Sequence, residues 1–215
     1  MAIVTLLTDS GENDHYVAAI KARIMKFNPG ADIVDLTHRI APCDIAHAAF
    51  VLRSVFRDFP AGSVHLTGVH ATGDRDDMPI AVEMDDHFFV GRDNGLFGLV
   101  SDVQHQQLVI LDTEEAADTT FPERDIFAPA AGKLSAGIPL PALGKPGDAF
   151  KRMIDRHVKA TRKQIAGHVI HVDSFGNLIT NIPMMAFEKL SQGRPFIVQF
   201  GGEKFKRIHT RYNQA

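Results

Sequence analysis

Six short polar segments hold the residue types in this sequence that can do chemistry. Thr8-Asp9-Ser10-Gly11-Glu12-Asn13-Asp14 offers a carboxylate that can accept two hydrogen bonds from a ribose diol, ligate a divalent ion, or cap a following helix, a task for which Asp14 is better placed than Asp9. Asp35-Leu36-Thr37-His38 sets a hydroxyl beside an imidazole, and the ordinary reading of that histidine is a hydrogen-bonded structural residue. Val69-His70-Ala71-Thr72-Gly73-Asp74-Arg75 gathers a base, a hydroxyl, a carboxylate and a guanidinium in one run. Acid–base chemistry needs such density, because a base needs an orienting partner. Asp76 and Asp77, which follow, read as solvated. Arg92-Asp93-Asn94-Gly95 carries a tight-turn signature, with Gly95 suited to positive φ. Phe121-Pro122-Glu123-Arg124-Asp125 precedes an apolar helix, where Asp125 favours the helix dipole and Arg124 has no evident structural duty. The last, His171-Val172-Asp173-Ser174-Phe175-Gly176-Asn177, ends a strand in a turn whose amide can read a purine edge and whose carboxylate can hold an ammonium group.

These loops need a frame, and the apolar pattern supplies one. Residues 2–7 read as a buried strand and 16–27 as a helix with Val17, Ile20, Ile24 and Phe27 on one face, stopped by Asn28-Pro29-Gly30. A second strand over 32–36 and a second helix over 44–56 repeat the unit. Strands follow at 63–69, 80–83, 87–90 and 107–111, then a helix over 127–135 closed by Gly137. This is an α/β pattern. It predicts a mostly parallel sheet covered on both faces, with ligand-binding loops at the strand C-terminal ends. The expected organisation is an α/β domain over residues 1–140, a linker with a charged, solvated stretch over 141–166, and a short β domain over 167–215, too small for an independent core.

Several classes of function fall away. The 215-residue chain has 23 Lys and Arg against 26 Asp and Glu, a formal charge of −3 with no basic run, so duplex nucleic acid is an unsuitable partner. The single cysteine, Cys43, excludes a disulfide framework and suits a reducing compartment. The N-terminus lacks the basic region of a signal peptide, and no apolar run reaches the ~18 residues a membrane span needs. A soluble, cytoplasmic protein without a membrane partner is expected. There is no Walker A run, no Gly-x-Gly-x-x-Gly and no Gly-x-Ser-x-Gly. His168 and His171 point to opposite faces of a strand and cannot share an ion, whereas Asp9, Asp14 and His15 can support a metal-dependent phosphatase as an alternative reading.

Taken in order, the segments resemble the S-adenosylmethionine hydroxide adenosyltransferase family, relatives of the fluorinase and chlorinase. The matching stretches are 6–11 with Tyr16 and Val17, 35–38 with Ile45 and 50–52, 60–65, 93–95, 124–129 and 172–182. The resemblance implies hydrolysis of S-adenosyl-L-methionine to adenosine and L-methionine by water or hydroxide at the ribose C5′, with no metal or other cofactor. It also implies a homotrimer whose sites lie between subunits. By motif position, Asp9 is similar to the family's ribose-diol carboxylate, Asp173 to its methionine-ammonium contact and Asn177 to its adenine-edge reader; Asn94, Glu123, Arg124 and Phe175 complete the expected binding set. The family's water site uses an Asp from an Asp-Pro-Gly-Val-Gly loop, an Arg, and a His before Gly-Arg-Asp. This chain departs from that pattern: the loop lacks that Asp, and Pro122 stands at the His position. The expected groups near the reacting carbon are therefore His70, Thr72 and Arg75, with Thr72-Gly73 resembling the halogenase loop. The family's distal adenine-wrapping loop falls past Ala215, so the β domain is expected to be incomplete. A non-catalytic adenosyl-ligand sensor is the other reading.

Overall fold

The computed structural model describes residues 3–74, 76–101, 103–153 and 158–209. The chain divides into two compact units, Met1–Asp155 and Arg156–Ala215. The first is built on a seven-stranded sheet in the order β2-β1-β3-β5-β4-β6-β7. Its strands are β1 (Ile3–Thr8), β2 (Asp32–Thr37), β3 (Val64–Gly68), β4 (Pro79–Met84), β5 (His87–Arg92), β6 (Gln107–Leu111) and β7 (Gly144–Pro146).

Successive side chains of a strand point to opposite faces, and both faces of this sheet are covered. Val4, Leu6, Val64 and Leu66 pack beneath α1 (Tyr16–Phe27) and α4 (Ala128–Ser135), against Ile20, Ile24, Ala131 and Leu134. On the other face Leu7, Ile80, Val82 and Phe89 meet α2 (Ile45–Val55) and α3 (Leu96–Val100) through Ala48, Leu52, Phe97 and Val100. Asp44 caps α2 by accepting the His47 N–H at 3.0 Å. Asp14 does not cap α1: His15 occupies that position, without a side-chain bond, and Asp14 is exposed.

The α/β class predicted from the pattern is the class that forms, and its sheet is mixed. β2, β1, β3 and β5 run parallel, while β5–β4, β4–β6 and β6–β7 pair antiparallel. β4 and β5 form a hairpin whose two turn residues, Asp85 and Asp86, have φ of 52° and 60°. Loops at strand C-terminal ends therefore gather along the parallel half of the edge. Residues 141–150, the start of the expected linker, supply β7 and the buried Leu143 and Phe150.

A polar line crosses the core. Thr5 Oγ1 lies 2.8 Å from His65 Nδ1, and His65 Nε2 lies 3.1 Å from His87 Nδ1, walled by Phe56 and Phe89. Burial, with His87 as a second cause, pushes the His65 pKa down to about 3.

The second unit holds three hairpins, β8–β9 (Lys159–Ala160, Ile165–Ala166), β10–β11 (Val169–Val172, Leu178–Thr180) and β12–β13 (Val198–Phe200, Glu203–Phe205). It also holds α5 (Met184–Ser191), a helix absent from the β-only expectation, whose Phe187 meets Phe196 edge to face at 4.9 Å.

Candidate functional site

Four loops leave the C-terminal ends of the parallel strands, and Asp9 ties three of them together. Its Oδ2 accepts the N–H of Cys43, in the segment between β2 and α2, at 2.9 Å. The same oxygen accepts the N–H of His70, just past β3, at 3.1 Å. Oδ1 takes part in neither bond, so the carboxylate is aimed by backbone and keeps acceptor capacity for a diol. Both donors are strained: Cys43 has φ 63° and His70 φ 49°, the left-handed region non-glycine residues rarely occupy. Such strain concentrates where surrounding structure enforces a functional geometry.

Around Asp9 the rim is braced. Thr8 Oγ1 lies 2.9 Å from His38 Nδ1, and His38 Nε2 lies 3.1 Å from Asp35 Oδ1, which places His38 as a buried spacer between β1 and β2. Lys21 Nζ, 2.5 Å from Asp35 Oδ2, completes the chain. Burial alone would raise the Asp35 pKa; its bonds to Lys21 and His38 outweigh that and lower it.

The loop after β3 is held from β5. Arg92 donates from Nε to Ala71 O at 2.8 Å and from Nη1 to Asp77 O at 3.0 Å. Asn94, buried, donates from Nδ2 to Val69 O at 2.9 Å and accepts the Leu96 N–H at 3.2 Å. Its amide is spent positioning the loop, and Gly95 takes the positive φ its turn requires, 92°. Asp77 is not solvated. Its side chain is 2% exposed, pairs with Lys151 Nζ, and accepts the Asp74 N–H at 2.9 Å. Burial works to raise the Asp77 pKa, but the bonds from Lys151 and Asp74 hold it low.

Sequence reasoning missed Arg92, read only as part of a turn, and Asp77, read as solvent-facing. Their position, at a strand end and in a loop rich in charges, was the available signal.

Glu123 opens a single π-helical turn, Glu123–Phe127, which runs directly into α4. Its side chain lies over the backbone of Gly68: a Cβ built there would stand 2.8 Å from Glu123 Cγ and 3.1 Å from Thr8 Cγ2. Burial pushes its carboxyl up to about 7; nearby Asp9 adds to this, while its own N–H and Arg92 oppose it. Arg124 turns elsewhere. It bonds Asp125 through Nε at 2.7 Å and Nη2 at 2.8 Å, and lies over the Phe121 ring on the surface. Asp125 also accepts from Thr119 at 2.5 Å.

The first unit thus brings together Asp9, His70, Asn94 and Glu123. Thr72 is exposed on the same loop, and Arg75 lies outside the described residues. The remaining expected residues belong to the second unit. There Asp173 Oδ1 accepts the N–H groups of Phe175 and Asn177, both at 2.9 Å, and Oδ2 accepts Asn177 Nδ2 at 2.8 Å. Those bonds from Asn177 hold the Asp173 carboxyl below the usual range. Gly176 turns the chain with φ 85°, and Phe175 projects at 90% exposure. The two side chains form one preorganised turn.

Among the described residues no group of three or more His, Cys, Asp or Glu side chains is placed to hold a metal ion. None of their helices is long and apolar enough to cross a membrane.

Comparison with known proteins adds a separate finding. The SAM hydroxide adenosyltransferase N-terminal domain matches residues 4–144, and the corresponding C-terminal domain matches residues 167–215. A Methanocaldococcus jannaschii protein named (R)-S-adenosyl-L-methionine hydrolase is 36% identical over 84% of this chain, which spans 66% of that relative's length. A Thermus thermophilus protein of the same name is 32% identical over 85% of the chain and 75% of its own. The crystal structure of an uncharacterized conserved protein from Thermotoga maritima superposes with TM-score 0.88 at 32% identity, covering 99% of this chain and 84% of that one. With both halves of the architecture matched in order along the sequence, this chain belongs to the SAM hydroxide adenosyltransferase family.

Proposed function

We propose that the chain hydrolyses S-adenosyl-L-methionine to adenosine and L-methionine, by attack of water at the ribose C5′. The supporting observation is Asp9: a carboxylate aimed by two strained backbone donors at the C-terminal end of β1, free to accept from a ribose diol. Fixing the ribose there fixes C5′ relative to the loop of His70 and Thr72, the candidates near the reacting carbon together with Arg75. In-line displacement then needs little beyond orientation, because the sulfonium is already activated and departs as a neutral thioether. The attacking oxygen bonds C5′, the C5′–S pair goes to sulfur, and the water loses a proton.

The Asp173 turn of the second unit is the complementary half. Its carboxylate suits the methionine ammonium, the free oxygen of the Asn177 amide suits the exocyclic amine of adenine, and Phe175 offers a face to the base. We take these groups to act across a homotrimer interface, in a cytoplasmic, reducing setting, with no resident metal or organic cofactor.

Incubation with S-adenosyl-L-methionine in ¹⁸O-water tests the reading. Adenosine labelled at the 5′ oxygen and equimolar methionine, insensitive to EDTA, are expected. Binding without turnover would make the protein a sensor of adenosyl ligands; phosphatase activity abolished by EDTA would favour a metal site at Asp9 instead.

A further inference from the structure

We propose that Glu123 is the proton acceptor for the attacking water, a role that rests on the hydrolytic reading above. Glu123 starts the π-helical turn that precedes α4, and such turns break the regular helical register and recur at functional sites. The break lays its side chain across Gly68, which pairs with Thr8 where β3 and β1 end, the two strands whose loops carry His70 and Asp9. Gly68 has no Cβ where one would collide with Glu123, so the β3 backbone makes room for this carboxyl.

C5′ is borne by the ring carbon next to the diol and projects from the opposite face of the sugar, so a carboxyl near Asp9 but not bonded to it is placed to meet the nucleophile rather than the diol. The charged groups facing Glu123 are Asp9 after β1 and Arg92 at the end of β5. His38 stands behind Thr8, and on its own turn Arg124 and Asp125 pair with each other; Arg23 of α1 acts on Asp125. Burial and Asp9 together bring the carboxyl to about 7, so near neutrality a large fraction is ionised and that carboxylate is a much stronger base than an ordinary one. The step balances: the water oxygen bonds C5′, the C5′–S electron pair leaves with methionine, and the released proton moves to Glu123 and then to solvent.

Glu123→Gln keeps shape and removes the base. A fall in kcat of roughly 100-fold or more, with KM within a few-fold and the melting temperature nearly unchanged, is expected. The wild-type rise of kcat/KM through about pH 7 should vanish in the variant and return, at lower rate, in Glu123→Asp. Gly68→Ala, which pushes an intact carboxyl aside, should lower kcat in the same direction. A higher KM with unchanged kcat and pH profile would make Glu123 a binding group and overturn the proposal alone. Wild-type protein that binds S-adenosyl-L-methionine without cleaving it would overturn the hydrolytic reading and this role with it.

Discussion

Asp9 spends one carboxylate oxygen on two backbone N–H groups, so its charge is organised before any ligand arrives. Asp9→Asn keeps size but replaces charged acceptors with neutral ones and forces the amide to choose between the loop donors and the diol. Hydrogen bonds to charged groups contribute ~1.5–3 kcal/mol, so calorimetry should show adenosine affinity weakened at least roughly tenfold. A second residue-scale outcome concerns His65. Its native pKa of about 3 is far below the 6.5 of the unfolded chain, so unfolded molecules take up a proton first as pH falls. Stability is full above pH ~6.5 and declines toward pH 3, by up to about 1.4 kcal/mol per pH step. Urea unfolding at pH 8, 6, 5 and 4 checks this, and His65→Gln, weaker at pH 8, should lose most of the slope. Asp9 and His70 were legible because strand-then-polar-loop patterning places them at strand ends. Asp77 was not: a carboxylate next to Asp76 defaults to solvent, and what buries it is Lys151, 74 positions away.

At the scale of elements, the loop after β3 is the part most open to manipulation. It is held by Arg92, Asn94 and the Asp77–Lys151 pair. Asp77→Ala removes the pair and the bond from Asp74 while Lys151, half exposed, returns to water. The expected cost is about 1–2 kcal/mol, with hydrogen exchange rising over residues 70–77 and remaining slow in β1 and β3. The helices and buried strands of this frame were readable from periodicity. The reversed direction of β4 was not, because the β4–β5 hairpin turns through Asp85-Asp86, both at positive φ, where Asn-Gly or Asp-Gly would have announced the turn. Ser101 and Arg57 stabilise that choice by bonding Asp85. The helix α5 escaped notice because eight residues after Pro183, without a side-chain cap, leave little periodic signal.

For the whole molecule, the proposed trimer makes a simple demand. Phe175 and Met185 of the second unit stand 90% and 81% exposed, and Ile197 60%. Apolar surface of this kind favours association. Light scattering should return three times the 23.6 kDa chain mass, and Phe175→Ser should weaken adenosine binding through the lost ring contact. Lys151 is moored twice, its amide to Asp93 beyond β5 and its ammonium to Asp77 beyond β3. The segments that leave β5 and β3 are thus clamped by a single residue, and a change at Lys151 reaches both together.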